Sequence, residues 1–388
     1  MNKKHMIGAG TYDELIEDLA DVGHEVTHII QGAMGWGKSA MLNALGALPQ
    51  FEDYILIYVD CTTKSDSGDF FMIKYSEDGK TFKTLPHEEL GLHLGKPVII
   101  MFDEIGKMPR SAFNSVLRIL YEKKYGDMEL HPDSIVFATT NFAAEGLGDM
   151  LPAHGRNRVL VRSLIVPTKL EWLGWAIKKG VHEFILSYAN QNDHIFSCFL
   201  DWSEVGQHPE CYDPRATDVP TAFITGRSMA ETTSPLFYTY DARIEKATQG
   251  GSISSNLVKK YQRMLGSALQ GAVGPVAAAD MMTYFKLQGE IPTREQIIAD
   301  PLHAPIPSSG AAKCLLITRT LRDMDKEFAE PWMTYLMREK QGEFNKIDQA
   351  LFGIGTRVKD YPKLRVVASN QKYQEWARVN AHLFEEAK

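Results

Sequence analysis

The chain has 388 residues, 44% of them hydrophobic and 23% charged. That length leaves room for two or three domains with real cores, and the composition excludes a disordered, collagen-like or disulfide-stapled chain. With 42 basic against 49 acidic side chains, the net charge of −7 supplies no general field for a polyanion. No apolar run approaches the roughly 18 residues needed to cross a bilayer, so no membrane span is expected. The basic residues after Met1 lead into acidic Asp13, Glu14, Glu17 and Asp18 rather than into the apolar core of a secretory signal. Cys61, Cys198, Cys211 and Cys314 form no CxxC pair and fit reduced thiols, so the expected compartment is the cytoplasm.

Residues 26–31 form a short β-rich run, followed by Gly32-Ala33-Met34-Gly35-Trp36-Gly37-Lys38-Ser39 and then by the helical pattern that starts at Ala40. Strand, GxxxxGKS and helix in that order make a phosphate loop. Glycines let successive backbone N–H groups turn towards an anion at a helix N-terminus. Lys38 is placed for the β- and γ-phosphates and Ser39 for Mg²⁺, with the whole segment from Gly32 to Ala40 as the nucleotide cradle. Trp36 has no evident phosphate role and is read as packing or subunit contact.

Tyr54 to Asp60 is expected to be the second strand. Residues 70–85 then alternate around Asp78-Gly79, a turn dipeptide suited to positive φ, and predict a hairpin. Pro97 to Glu104 is a continuous apolar run ending in two carboxylates, the pattern of a central parallel strand whose carboxyl end faces ligand. Asp103 suits Mg²⁺ coordination, and Glu104 suits polarising an attacking water. A second short hairpin is expected near Gly126. The next strand, Ser134 to Asn141, ends in an amide that could orient the lytic water and register loss of phosphate.

Three parallel strands ending in GKS, Asp-Glu and Asn resemble the AAA+ ATPases, and more narrowly the MoxR-like members of the helix-2-insert clade. In that resemblance Leu151-Pro152 followed by Arg156-Asn157-Arg158 is similar to the segment carrying an arginine finger that enters the neighbouring subunit's site; Arg158 fits by spacing and Arg156 is second choice. Ala222 to Ser228 resembles the sensor 2 stretch, with Arg227 as its arginine, although Gly226 and Met229 depart from the family pattern. The hairpin at 70–85 falls where the clade carries its insert, and the one near Gly126 is similar to the pre-sensor-1 hairpin.

The implied fold is α/β: a P-loop AAA+ parallel-sheet core at 1–166, a helical lid at 167–300, and a helical C-terminal extension at 301–388 beyond a Pro-rich linker. The implied activity is ATP hydrolysis with Mg²⁺ by a homo-oligomer, a hexameric ring or spiral, that remodels a protein partner in a chaperone-like role. The family's usual partner class is a protein with a von Willebrand factor A domain. Two alternatives stay open: a McrB-like nucleic-acid motor or defence NTPase, disfavoured by the acidic balance and by Thr140-Asn141-Phe142 where that branch has another string, and an ATP-gated assembly scaffold. His194-x3-Cys198 and His208-x2-Cys211 have spacings compatible with zinc, but their apolar flanks inside the apparent lid favour a structural reading.

Overall fold

The computed structural model describes residues 6–142, 157–218, 220–249, 255–338, 344, 346–357 and 363–381. Packing divides the chain into two units: Met1–Pro167 with Cys198–Val205 and Pro214–Thr217, and Thr168–Ser197 with Gly206–Asp213 and Asp218–Lys388.

The first unit is organised by one sheet. Its strands are β1 (Ala9–Gly10), β2 (His28–Gln31), β3 (Ile55–Asp60), β6 (Val98–Asp103), β9 (Ile135–Thr140) and β10 (Leu160–Leu164). They lie in the order β1-β10-β2-β9-β6-β3, and every pairing is parallel. Parallel neighbours require crossovers on the faces, and both faces are covered here, which is why β6 and β9 are buried at every residue.

Alternation divides the core in two. Val98, Ile100 and Phe102 point to one face with Val136 and Ala138, where α3 (Arg110–Glu122) contributes Ala112, Val116 and Ile119. Ile99 and Met101 point to the other face with Ile135 and Phe137, against Leu15 and Leu19 of α1 (Tyr12–Val22) and Met41 and Leu45 of α2 (Met41–Gly46). Each such side chain contributes about 1.5–3 kcal/mol of burial, so a polar residue inside either run would be costly.

Both expected hairpins are present. The longer pairs β4 (Phe71–Tyr75) with β5 (Phe82–Pro86), antiparallel, with Gly79 at φ +67 in its turn. The shorter pairs β7 (Lys124–Tyr125) with β8 (Met128–Glu129) around Gly126 at φ +58. The base of the longer meets the turn end of the shorter, where the Phe71 and Tyr125 rings are 5.3 Å apart between centroids. A Cβ on Gly126 would lie 2.9 Å from the Thr84 carbonyl oxygen.

The second unit is helical: α4 (Lys169–Lys178), α5 (Glu183–Gln191), a π-helical turn at Ser228–Thr233, α6 (Ser234–Gln249), α7 (Ser255–Val273), α8 (Pro275–Leu287), α9 (Arg294–Ala299), α10 (Gly310–Asp323), α11 (Lys326–Leu336), α12 (Lys346–Arg357), α13 (Leu364–Ala368) and α14 (Gln371–Val379). Thr168 and Glu171 close a capping box at the start of α4. α5 is buried from Glu183 to Asn190 because α10 packs along it. The buried Glu183 is held by Arg322 at 2.8 Å and Arg319 at 3.4 Å. Burial alone would raise the Glu183 pKa, but His182 and the two arginines pull it below the ordinary value. No helix among the described residues is long and apolar enough to cross a membrane.

Gly126→Ala should lower stability by about 1–3 kcal/mol in urea titration, since it combines positive φ with a collision against backbone. Gly79→Ala, at φ +67 but with open space around it, should cost only about 1 kcal/mol of backbone strain. Equal losses for the two would show that the hairpin contact at Thr84 contributes nothing.

Candidate functional site

The sheet order explains the site. β9 lies between β2, which feeds the phosphate loop, and β6, which carries the two acids. In a parallel sheet all three carboxyl ends open on one edge, so groups distant in sequence converge there. The loop turns through Gly35 at φ +80 and Gly37 at φ +90, values that side-chain-bearing residues rarely adopt. A 3₁₀ turn at Lys38–Ala40 then leads into α2.

Lys38 is buried, and its ammonium donates to the carbonyl oxygens of Gly32 at 2.8 Å and Ala33 at 3.0 Å and to Asn141 Oδ1 at 2.8 Å. The amide that ends β9 is thereby joined directly to the phosphate-loop lysine. The loop is also tied to β9 by its own backbone, since Gly32 N–H donates to the Thr140 carbonyl at 3.1 Å. Trp36 packs edge-on against Phe142, 5.7 Å between centroids, at the border of the apolar core, in keeping with its reading as a packing residue. Met34 and Ala40 lie in the same loop and turn.

Asp103, 4% exposed, is a hub. Its Oδ2 accepts from Ser39 Oγ at 2.7 Å and from the Tyr58 hydroxyl at 2.9 Å, and its Oδ1 accepts from Thr139 Oγ1. A serine hydroxyl beside a carboxylate is a hard oxygen pair of the kind that Mg²⁺ takes, and the neighbouring amides and Lys38 are the donors that a polyphosphate takes. On that chemistry, the residues present fit both groups.

Glu104 follows in the left-handed region at φ 55, ψ 40, uncommon for a non-glycine residue. Its backbone N–H donates to Thr139 Oγ1 at 3.2 Å, so one threonine holds both acids in place. The Glu104 carboxylate lies 3.3 Å from Lys107 Nζ. Strain of this kind persists only where surrounding bonds over-determine it, and here it directs the second carboxylate away from the line of the strand.

Arg158 is exposed, with its guanidinium over the Tyr121 ring at 5.6 Å. It leads into β10, whose Leu160 is in register with His28, the first residue of β2, while the phosphate loop leaves β2 after Gln31. Arg158 therefore stands at the opposite edge of the sheet from Lys38, with the length of β2, on the order of 10 Å, between them. Arg156 lies outside the described residues. Arg227 belongs to the second unit, where it caps the π-helical turn with a half-exposed side chain 4.0 Å from Glu231.

Sequence reading missed Tyr58 and Thr139. Both stand two residues before a polar strand end, Asp60 at the end of β3 and Asn141 after β9, and so share its face; that spacing is the one signal that could have found them.

No family model and no curated protein matches the chain. Solved structures do align with it. A candidate ATPase from Cytophaga hutchinsonii is 16% identical over 41% of this chain and 47% of its own, with a TM-score of 0.29. Hsp104 with ATPγS and FITC casein is 14% identical over 46% of this chain and 37% of its own, at 0.33. A point mutant of Thermotoga maritima RuvB is 15% identical over 76% of this chain and 83% of its own, at 0.35. The chain thus spans less than half the length of the first two. The fold rests on the chain's own topology, a six-stranded parallel sheet with a phosphate loop after β2 and helices beyond: a P-loop α/β fold with a helical extension.

Thr139→Val deprives a buried carboxylate oxygen and the Glu104 amide of their shared partner. It should destabilise the chain by about 1–3 kcal/mol in chemical denaturation. Tyr58→Phe should cost clearly less, because Tyr58 is 49% exposed and water can replace its hydroxyl. An equal or larger effect at Tyr58 would refute the central place given to Thr139.

Proposed function

We propose that this chain is an ATP-hydrolysing AAA+ motor of the MoxR-like type, working as a homo-oligomer on a protein client. The observation that carries the reading is the convergence of three strand ends: Lys38 bonded to Asn141 at 2.8 Å beside Ser39 bonded to Asp103 at 2.7 Å. A simple glycine-rich turn has no need of either pair.

Within this reading, the amides from Gly32 to Gly37 hold the phosphates, and Lys38 exchanges carbonyl partners for β- and γ-phosphate oxygens. Ser39 and Asp103 are the residues that would hold Mg²⁺. When bound, Mg²⁺ would supply positive charge against the charge that develops during transfer. Glu104 accepts the proton of the attacking water, which requires it to leave Lys107. Asn141 orients that water and, through its bond to Lys38, responds to the presence of the γ-phosphate.

Arg158, at the far edge of its own sheet, acts on a neighbouring subunit, where its always-charged planar donors stabilise the transferred phosphoryl group. That assignment makes a ring or spiral, hexameric by the resemblance, part of the chemistry. Arg227 couples nucleotide state to the helical lid. The longer hairpin supports a protein client, since Met72, Ile73, Tyr75 and Phe82 are all exposed apolar side chains. A protein with a von Willebrand factor A domain is the client class that the resemblance suggests.

Lys38→Ala should abolish ATP binding, while Glu104→Gln should bind ATP with hydrolysis reduced by about 10²–10⁴. Undiminished turnover by Glu104→Gln would eliminate the mechanism. Mixing inactive Arg158→Ala with inactive Glu104→Gln subunits should restore phosphate release at mixed interfaces. Silence at every ratio, with mixed assemblies demonstrated by native mass spectrometry, would remove Arg158 from the trans role.

A further inference from the structure

The second unit holds a cluster that ATP chemistry does not use. Among the described residues, His194, His208 and Glu210 form the one group of three imidazole, thiol or carboxylate side chains whose ligand atoms all fall within 4.8 Å of one another. The His194 and His208 rings stack at 4.7 Å and 17°. His194 Nε2 approaches Glu210 Oε1 to 2.5 Å, and that nitrogen is buried yet lacks the alignment of a hydrogen bond. The three donor atoms are thus gathered at one place.

We propose that His194, His208 and Glu210 form a divalent transition-metal site, best suited to zinc. Two imidazoles and one carboxylate are a borderline-soft donor set that favours zinc over Mg²⁺ or Ca²⁺. Ligands about 2.1 Å from a tetrahedral ion lie about 3.4 Å from one another, so the three side chains need only small rotations to close on it.

The cysteines that the spacing paired with these histidines take no part. Neither Cys198 nor Cys211 belongs to the group whose ligand atoms converge. Glu210 stands where Cys211 was drawn. Three protein ligands leave the fourth position to water.

The site would act as a staple. His208 and Glu210 lie on one turn, closed by Cys211 N–H to the His208 carbonyl at 2.9 Å, and His194 lies in the 3₁₀ turn at Asp193–Phe196. The Glu210 carbonyl accepts from Ile224 N–H at 2.7 Å, and Cys211 bridges Ile224. Ile224 stands three residues before Arg227. A bound ion therefore joins the turn after α5 to the backbone that leads into Arg227, without touching the phosphate loop.

The test uses the full chain, stripped with EDTA and titrated with Zn²⁺ against a chromophoric chelator. Expected is one equivalent per chain, retained in Lys38→Ala and weakened at least roughly tenfold in His208→Ala and in Glu210→Gln. Zinc should also slow hydrogen exchange at the Ile224 amide in the wild-type protein. No tight equivalent in the wild type, or equal uptake by wild type and both variants, overturns the site and leaves a plain histidine–glutamate contact. Should the variants not fold, one equivalent of Cu²⁺ on the wild type decides: hyperfine coupling to two imidazole nitrogens sustains the proposal, and its absence ends it. Because retention in Lys38→Ala is read without nucleotide, failure of the ATPase reading leaves this result intact.

Discussion

The Asp103 carboxylate is the interaction on which the rest of the first unit depends. It sits at the end of a strand buried at every residue and accepts three hydroxyls, from Ser39, Tyr58 and Thr139. Those residues come from the phosphate loop, β3 and β9, so one side chain fixes the relative positions of three separate segments. A buried carboxylate without such donors would be strongly destabilising, whereas one with all of them is rigid. Burial of β6 supplies the stability, and the hydroxyls convert it into position.

The same logic explains the placement of strain. Glu104 adopts a left-handed backbone one residue beyond the hub, with its amide held by Thr139. Moving from extended to left-handed geometry directs Glu104 away from the regular alternation that put Asp103 against Ser39. Two adjacent acids thereby receive different surroundings, one saturated with hydroxyls and one facing Lys107. Different environments are what allow chemically similar carboxylates to take different tasks.

Much of this was legible in the sequence because it follows from short-range pattern. Continuous apolar runs at 98–103 and 135–140 announce strands buried on both faces, and glycines at fixed offsets announce the loop. Both hairpins were readable from their turn residues. What was not legible depends on which strands become neighbours: Tyr58 reaches Asp103 only because β3 pairs with β6 with Asp60 opposite Asp103. Asn141 meets Lys38 only because β9 lies beside β2. In the second unit the histidine–cysteine intervals were set aside as a zinc site, and the fold brings Glu210, not a cysteine, to the two histidines. Intervals report which side chains share a helix face, not which segments a turn brings together.

One sheet edge gathers the phosphate loop, both acids and Asn141, and the opposite edge carries Arg158. Parallel strands make that separation unavoidable, because Arg158 precedes β10 whereas the loop follows β2, and the register between those strands leaves no freedom to slide. An arginine on the amino-terminal edge can meet a phosphate on the carboxyl-terminal edge only if a second copy supplies the other half. Under the proposed function, then, the need for an oligomer is a consequence of strand direction. Hydrolysis would be coupled to assembly because no single sheet can present both its phosphate loop and its arginine on the same side.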